Sequence, residues 1–274
     1  MLGGVGAPHH PALTALGRQV ALDEVFRRCA SDAECKTAFG DVKRLFATVE
    51  RSVRTTSIRT PFPGANGHIT IELRNAQFAD RLGFMLYDVN TARYIPYLLW
   101  EAARNTWGPF VTLAFRQSYE FYTPGGSHDA ALNRTAISRG FYYSDVCAEF
   151  VPLITSRDRE RDAPTFISNT RNDAYADMCK LWAVPARAPA KGKIAAPTLI
   201  LSNRFDPATP WFVAKASLPE FAKVRQITNY AWGHNTRYDC LKSLFIPFLE
   251  TLQFEGLDIR CANEPQTVTF AKSL

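Results

Sequence analysis

Thr198-Leu199-Ile200-Leu201-Ser202-Asn203-Arg204-Phe205-Asp206-Pro207-Ala208-Thr209-Pro210 decides how the rest of this 274-residue chain is read. It opens on an uninterrupted apolar run, the pattern of a strand buried on both faces of a parallel sheet. It closes on an acid placed in a turn held by two prolines. Downstream, Pro210 to Phe221 reads as a helix with proline at its start, Val224 to Thr228 as a second strand, and Leu241 to Phe254 as a closing helix. Strand, helix and strand in this compass predict a parallel crossover. Two parallel strands do not make a stable sheet by themselves. No other stretch reads as a convincing buried parallel strand, so the remaining ones are expected upstream of the chain.

In open α/β sheets, functional groups collect just beyond the carboxyl ends of the strands. Asp206 follows the first strand, and Tyr230-Ala231-Trp232-Gly233-His234-Asn235 follows the second. Taken singly, Asp206 is a turn former before proline and His234 caps a strand end. Together they stand in the acid-then-histidine order that ends the Ser…Asp…His sequence of α/β-hydrolases. In that chemistry the imidazole takes the proton of a serine hydroxyl and returns it to the leaving group. The carboxylate fixes the tautomer and stabilises the imidazolium. Asp206 and His234 are therefore the candidate catalytic residues. The nucleophile is the gap: no Gly-x-Ser-x-Gly elbow precedes them. Gly125-Gly126-Ser127-His128-Asp129 comes nearest, but it lacks the final glycine and follows no predicted strand, so Ser127 reads as loop. No His-Gly-Gly-Gly oxyanion stretch is present either.

Composition excludes several other classes. Hydrophobic residues make up 46% and charged residues 21%, the balance of an ordinary globular protein. The net charge of +6 is scattered, and its densest stretch, Arg157-Asp158-Arg159-Glu160-Arg161-Asp162, alternates in sign. That is a solvated surface rather than a phosphate-reading patch, and nucleic-acid binding is not expected. No apolar run approaches the ~20 residues that cross a bilayer. Six cysteines stand at 29, 35, 147, 179, 240 and 261, with no Cys-x-x-Cys pair and no histidine at metal-ligand spacing. Zinc, or any other metal or cofactor, is not expected. The even count and paired spacing favour disulfides over six buried thiols. About 15 pairings are open, and the simplest is sequential: Cys29–Cys35, Cys147–Cys179 and Cys240–Cys261. Disulfides imply a secreted or periplasmic protein. The start, Met1 to Pro8, lacks a basic n-region, so the signal peptide is expected upstream of Met1.

Residues 11–55 read as two helices. Leu13, Leu16, Val20 and Cys29 fall near one face of the first; Phe39, Val42, Phe46, Val49 and Val53 form the stripe of the second. Ser31 and Asp32 suit the cap and turn between them. Pro61-Phe62-Pro63-Gly64 and Asn66-Gly67 are breakers before a short extended stretch, His68 to Leu73. Helix is expected over 76–107 with a break at 88–93, and loop with short helices over 108–145. Cys147 to Ile154 reads as helix, and Trp182 to Lys193 as a Pro/Ala linker. The chain accordingly divides into a mainly helical region, 1–190, and an α/β segment, 191–274.

Several pieces of sequence, in order, carry a resemblance. Leu2-Gly3-Gly4-Val5 is similar to a Leu-Asp-Gly-Val at the end of a central strand, with Gly3 where Asp is usual. Cys29-Ala30-Ser31-Asp32-Ala33-Glu34-Cys35 is similar to a short cysteine-closed turn. Leu86-Tyr87 with Tyr94-Ile95-Pro96 is similar to a cap segment, and Cys147-Ala148-Glu149 with Cys179-Lys180-Leu181-Trp182 to the paired cysteines that close it. Asp206-Pro207-Ala208-Thr209-Pro210 is similar to an acid-bearing motif. Gly233-His234 is similar to a base-bearing one, with Asn235 where Gly is usual, before a terminal pair Cys240 and Cys261. Over nearly its whole length the chain resembles the C-terminal part of the tripeptidyl-aminopeptidase-like α/β-hydrolases, secreted enzymes of the prolyl-aminopeptidase clan of serine peptidases.

The resemblance implies an α/β fold with an incomplete parallel sheet, 191–274 carrying the acid and base, and 1–190 forming a helical cap. It strengthens the disulfide reading and implies export. It also implies that the first strands, the oxyanion residues and the serine elbow lie before Met1, in a missing N-terminal hydrolase segment, so that this chain alone is inactive. The expected substrates are peptides with a free N-terminus, with esters as the alternative, and Glu149 is a candidate for holding the substrate ammonium. The competing reading of Glu149 is a surface or ion-paired side chain. The competing reading of the whole is a non-catalytic binding module.

Overall fold

A computed structural model describes residues 2–3, 14–64, 67–122, 138–188, 192–234 and 238–274. Its contacts divide the chain into a sheet unit, Met1–Ala21 with Gly140–Thr267, and a helical unit, Leu22–Arg139 with Val268–Leu274. Strand β1 (Leu2–Gly3) and the first turns of helix α1 (Thr14–Ser31) belong to the former, and the rest of α1 to the latter.

The helical unit continues with α2 (Ala33–Phe39), α3 (Val42–Thr55), an antiparallel hairpin of β2 (Ile58–Gly64) and β3 (Gly67–Leu73), then α4 (Asn75–Met85), α5 (Val89–Ala92), α6 (Ile95–Ala103) and α7 (Gly108–Tyr122). The stripe from Phe39 to Val53 is buried throughout, as its spacing predicts, but two helices share it. Gly40 ends α2 at φ 67°, a left-handed conformation that costs glycine little, and Asp41 caps α3 by accepting from the Arg44 N–H. Asp32 caps α2 in the same way on the Cys35 N–H, and the Cys29–Cys35 disulfide closes that corner. Phe78 is the hub of the core, with Phe46, Trp107 and Phe110 at ring separations of 6.4, 6.2 and 5.1 Å.

Two expectations fail here. The loop expected from 108 begins instead with a helix of 15 residues, whose Phe110, Val111 and Ala114 are fully buried. The aromatic density of that stretch hid an ordinary helical stripe. Pro61 to Gly64, read as breakers, lie inside β2. A two-stranded hairpin consists only of edges, where proline's missing N–H need not cost a ladder bond. Ser127 and its neighbours lie outside the described residues.

Within α1, Glu24 is nearly buried and accepts from Arg27 at 2.6 Å and Arg28 at 2.7 Å. Burial pushes its carboxyl up, but the hydrogen bonds and charges of the two arginines outweigh that and hold it below its ordinary 4.5. A folded-state value below the unfolded one stabilises the protein above pH 4.5, and the contribution disappears as pH falls through the folded value. Glu24→Gln is therefore expected to cost about 1–3 kcal/mol at neutral pH. Thermal unfolding of both proteins across pH should show the gap closing in acid; a gap independent of pH would sink the account.

The sheet unit continues with α8 (Arg139–Asp145), a π-helical turn (Val146–Phe150), a 3-10 turn (Val151–Leu153), α9 (Ser156–Asp162) and α10 (Thr170–Trp182). The Cys147–Cys179 disulfide joins the π-helical turn to α10. Then come β4 (Thr198–Phe205), α11 (Trp211–Ser217), β5 (Val224–Trp232), α12 (Tyr238–Thr251) and α13 (Arg260–Asn263). The strands form one parallel sheet in the order β1-β4-β5, with Leu2 opposite Ile200 and Thr198 opposite Val224. Leu199, Leu201 and Ile227 pack on Leu244 and Phe248 of α12 and Ala262 of α13. Ile200 packs on Ala214 of α11 and on Phe221. Both faces of β4 are thus covered, as its apolar run predicts, and the Cys240–Cys261 disulfide ties α12 to α13.

Both strands run further than their apolar stretches. Among the added residues, Ser202, Asn203 and Asn229 are polar and buried, and they bond across the strands: half-buried Gln226 donates from Nε2 to Ser202 Oγ at 3.1 Å, and Asn229 Nδ2 to Asn203 Oδ1 at 3.3 Å. The architecture is the partial α/β fold expected, a small parallel sheet among many helices. No helix among the described residues is long and apolar enough to cross a membrane.

Candidate active site

Asp206 is the first residue beyond β4, and His234 stands two residues beyond the end of β5. Because β4 and β5 are parallel neighbours, both side chains emerge at the same end of the sheet. The structure brings them together: His234 Nδ1 lies 3.1 Å from Asp206 Oδ2 and 3.2 Å from Oδ1. The acid is buried, its side chain only 4% exposed, whereas the imidazole is 38% exposed. That is the asymmetry a general base needs, with one end of the ring anchored and the rest accessible.

Asp206 organises its own turn. Oδ1 accepts from the Ala208 N–H at 2.7 Å and the Thr209 N–H at 3.0 Å, and Oδ2 accepts from the Thr209 hydroxyl at 2.7 Å. The Thr209 hydroxyl also lies 3.3 Å from His234 Nδ1. Since its proton is committed to Asp206, the Thr209 and Asp206 oxygens all meet Nδ1 as acceptors. The neutral imidazole therefore carries its hydrogen on Nδ1, which makes Nε2 the nitrogen whose lone pair can accept a proton. On the base side, Gly233 adopts φ 85°, and its N–H donates to Phe205 O at 3.3 Å, folding the His234 turn back over the end of β4.

The first turns of α1 pack against this acid turn. A Cβ on Gly17 would stand 3.0 Å from Pro207 O and 3.0 Å from Pro210 Cγ. Neither a backbone carbonyl nor a proline ring yields easily. Gly17→Val is expected to destabilise the protein by about 1–3 kcal/mol, because overpacking outweighs what a helix gains from losing a glycine. Thermal unfolding checks this; an unchanged midpoint would show that the turn can move aside.

Glu149, the third candidate, lies in the π-helical turn, where it accepts from Arg187 Nη1 at 3.4 Å. Both side chains are substantially exposed, so the pair contributes little, about 0–1 kcal/mol. The Glu149 carboxylate and its neighbour Asp145 lie close enough to interact: burial first, and then that like charge, raise the Asp145 carboxyl above its usual range. Sequence reading did not anticipate Thr209, although it sits in the quoted motif, nor the buried Asn203 beneath both turns. The available signal was polar residues at the end of an apolar strand, where amides must find partners.

A family model described as TAP-like protein matches residues 163–261, a span that runs from the end of α9 to Cys261 and contains β4, Asp206, β5 and His234. No curated protein matches the chain.

Proposed function

With residues 163–261 forming a TAP-like α/β-hydrolase C-terminal region, we propose that this protein is the acid-and-base portion of an exported serine exopeptidase that releases short peptides from free N-termini. The observation that supports this most is the anchored imidazole: His234 Nδ1 at 3.1 Å from a buried carboxylate, at the shared end of adjacent parallel strands. The serine is contributed by polypeptide outside residues 1–274. Its hydroxyl proton passes to His234 Nε2 as the oxygen attacks the substrate carbonyl, and Asp206 stabilises the imidazolium. That proton then leaves with the departing amine. Water repeats the cycle on the acyl-enzyme, giving up its proton to Nε2 as it attacks; the acyl–serine bond then breaks, Nε2 returns that proton to the serine oxygen, and the peptide acid is freed. Residues 1–190 act as the cap, and Glu149 takes the substrate ammonium once Arg187 releases it. Three disulfides support an oxidising, extracytoplasmic location.

The test uses the native polypeptide that carries residues 191–274, treated with a fluorophosphonate and mapped by peptide mass. A labelled serine in a Gly-x-Ser-x-Gly setting, with faster cleavage of peptidyl anilides bearing free than blocked N-termini, is the expected result. Preferential cleavage of simple esters would make it an esterase of the same fold. An unlabelled protein would overturn the hydrolase and leave a binding module.

A further inference from the structure

Two turns carry the acid and the base, and one residue is bonded to both. Asn203 lies on β4, 3% exposed. Its backbone carbonyl accepts from the Asp206 N–H at 3.4 Å. Its side-chain amide donates to Gly233 O, the carbonyl just before His234, at 3.0 Å. The same amide's oxygen accepts from Asn229 Nδ2 at 3.3 Å, and Asn229, opposite it in the strand register, is fully buried. Beyond Asn229, its Oδ1 stands 3.3 Å from Cys240 Sγ, the sulfur bonded to Cys261. An unbroken file of contacts therefore runs from the disulfide that ties α12 to α13, through two buried amides, to the turn that presents the imidazole.

Packing alone does not call for this file. Leu199, Ile200 and Leu201 on the same strand fill the sheet's two faces with apolar groups, and a buried amide is costly unless every polar atom is matched. The Asn203 amide is matched at both its nitrogen and its oxygen, and its bonds, with that of its backbone carbonyl, reach the Asp206 and His234 turns. The bulge between Asn203 and Phe205 adds to the picture, since bulges re-aim the chain beside functional groups.

We propose that Asn203 is a positioning residue for the acid–base pair, holding the Gly233–His234 turn at the spacing that lets Nδ1 reach Asp206. This rests on the hydrolase reading of that pair. Asn203 touches neither substrate nor the reacting atoms; it acts through Gly233 by limiting how often the imidazole swings away from the carboxylate.

The experiment uses the full 274-residue chain with disulfides intact and follows the His234 Nδ1 proton by NMR in acid, where the ring carries both protons. His234→Gln assigns the resonance. Asn203→Leu keeps the volume and removes the side-chain bonds to Gly233 and Asn229. It is expected to speed exchange of the Nδ1 proton with water about tenfold, the scale of one hydrogen bond. Should that variant not fold, Asn203→Ser, too short to reach Gly233 O, carries the same expectation. Asn172→Leu removes a buried amide of the same unit that bonds Asp162 instead, and should leave the exchange rate as in the parent. Exchange unchanged in both Asn203 variants, or equally accelerated by Asn172→Leu, would overturn the positioning role while the pair stands. If Asp206→Asn also leaves the proton undisturbed, the acid–base reading fails, and the proposal with it.

Discussion

His234→Ala is expected to abolish fluorophosphonate labelling and peptide hydrolysis by the native hydrolase, a loss of about 10⁴-fold or more, while barely moving its thermal unfolding. The two effects separate because of where the ring sits. On the proposed reading its catalytic value lies in taking the serine proton, and its described neighbour Thr209, bound to Asp206, is too poor a base to do so. Its structural value is small, since the side chain is 38% exposed and its partner keeps three other donors, the Ala208 and Thr209 N–H groups and the Thr209 hydroxyl. Asp206→Asn should be nearly as damaging to rate. An amide in place of Oδ1 or Oδ2 turns an N–H toward Nδ1, which favours the tautomer with hydrogen on Nε2 and blocks the base. A His234→Ala protein that labels and turns over within tenfold of the parent would end the assignment of His234 as the base.

The largest expected effect on stability comes from the Cys147–Cys179 bond. Replacing both cysteines with alanine should cost about 3–4 kcal/mol, because the crosslink closes a long loop in the unfolded chain. Its sequence separation is 32 residues, against 21 for Cys240–Cys261 and 6 for Cys29–Cys35. Loop entropy ranks the three losses in that order, the smallest near 2 kcal/mol. For a unit of this size the loss at Cys147–Cys179 corresponds to a fall in Tm of roughly 10 °C. Placement adds to the entropy: Cys147 is buried in the π-helical turn, and the bond pins that turn to α10. Measuring Tm for the three double-alanine variants tests the order. A smaller loss at Cys147–Cys179 than at Cys29–Cys35 would mean that native contacts, rather than the unfolded chain, set the contribution.

Much of this architecture was written in local pattern. The run Thr198 to Leu201 identifies a strand covered on both faces, because only continuous apolarity survives burial from two sides, and α11 and α12 cover it. The stripe from Phe39 to Val53 likewise reports its buried face directly. Asp206 and His234 were legible because each follows a strand in a turn with Gly or Pro, and strand direction sends both to one end.

What the tertiary structure alone decided depends on contacts between residues distant in the chain. The helix at 108–122 shows itself only once Phe110, Val111 and Ala114 have α4 and α6 to pack on. The prolines of β2 read as breakers until their partner strand is present. Thr209 and Asn203 carry no periodic signal. Their meaning lies in hydrogen bonds spanning 25 and 30 residues, and such bonds exist only after β4 and β5 have paired. Hydrophobic period is a property of neighbours in sequence, whereas hydrogen-bond satisfaction is a property of neighbours in space, and the candidate site is built from the second.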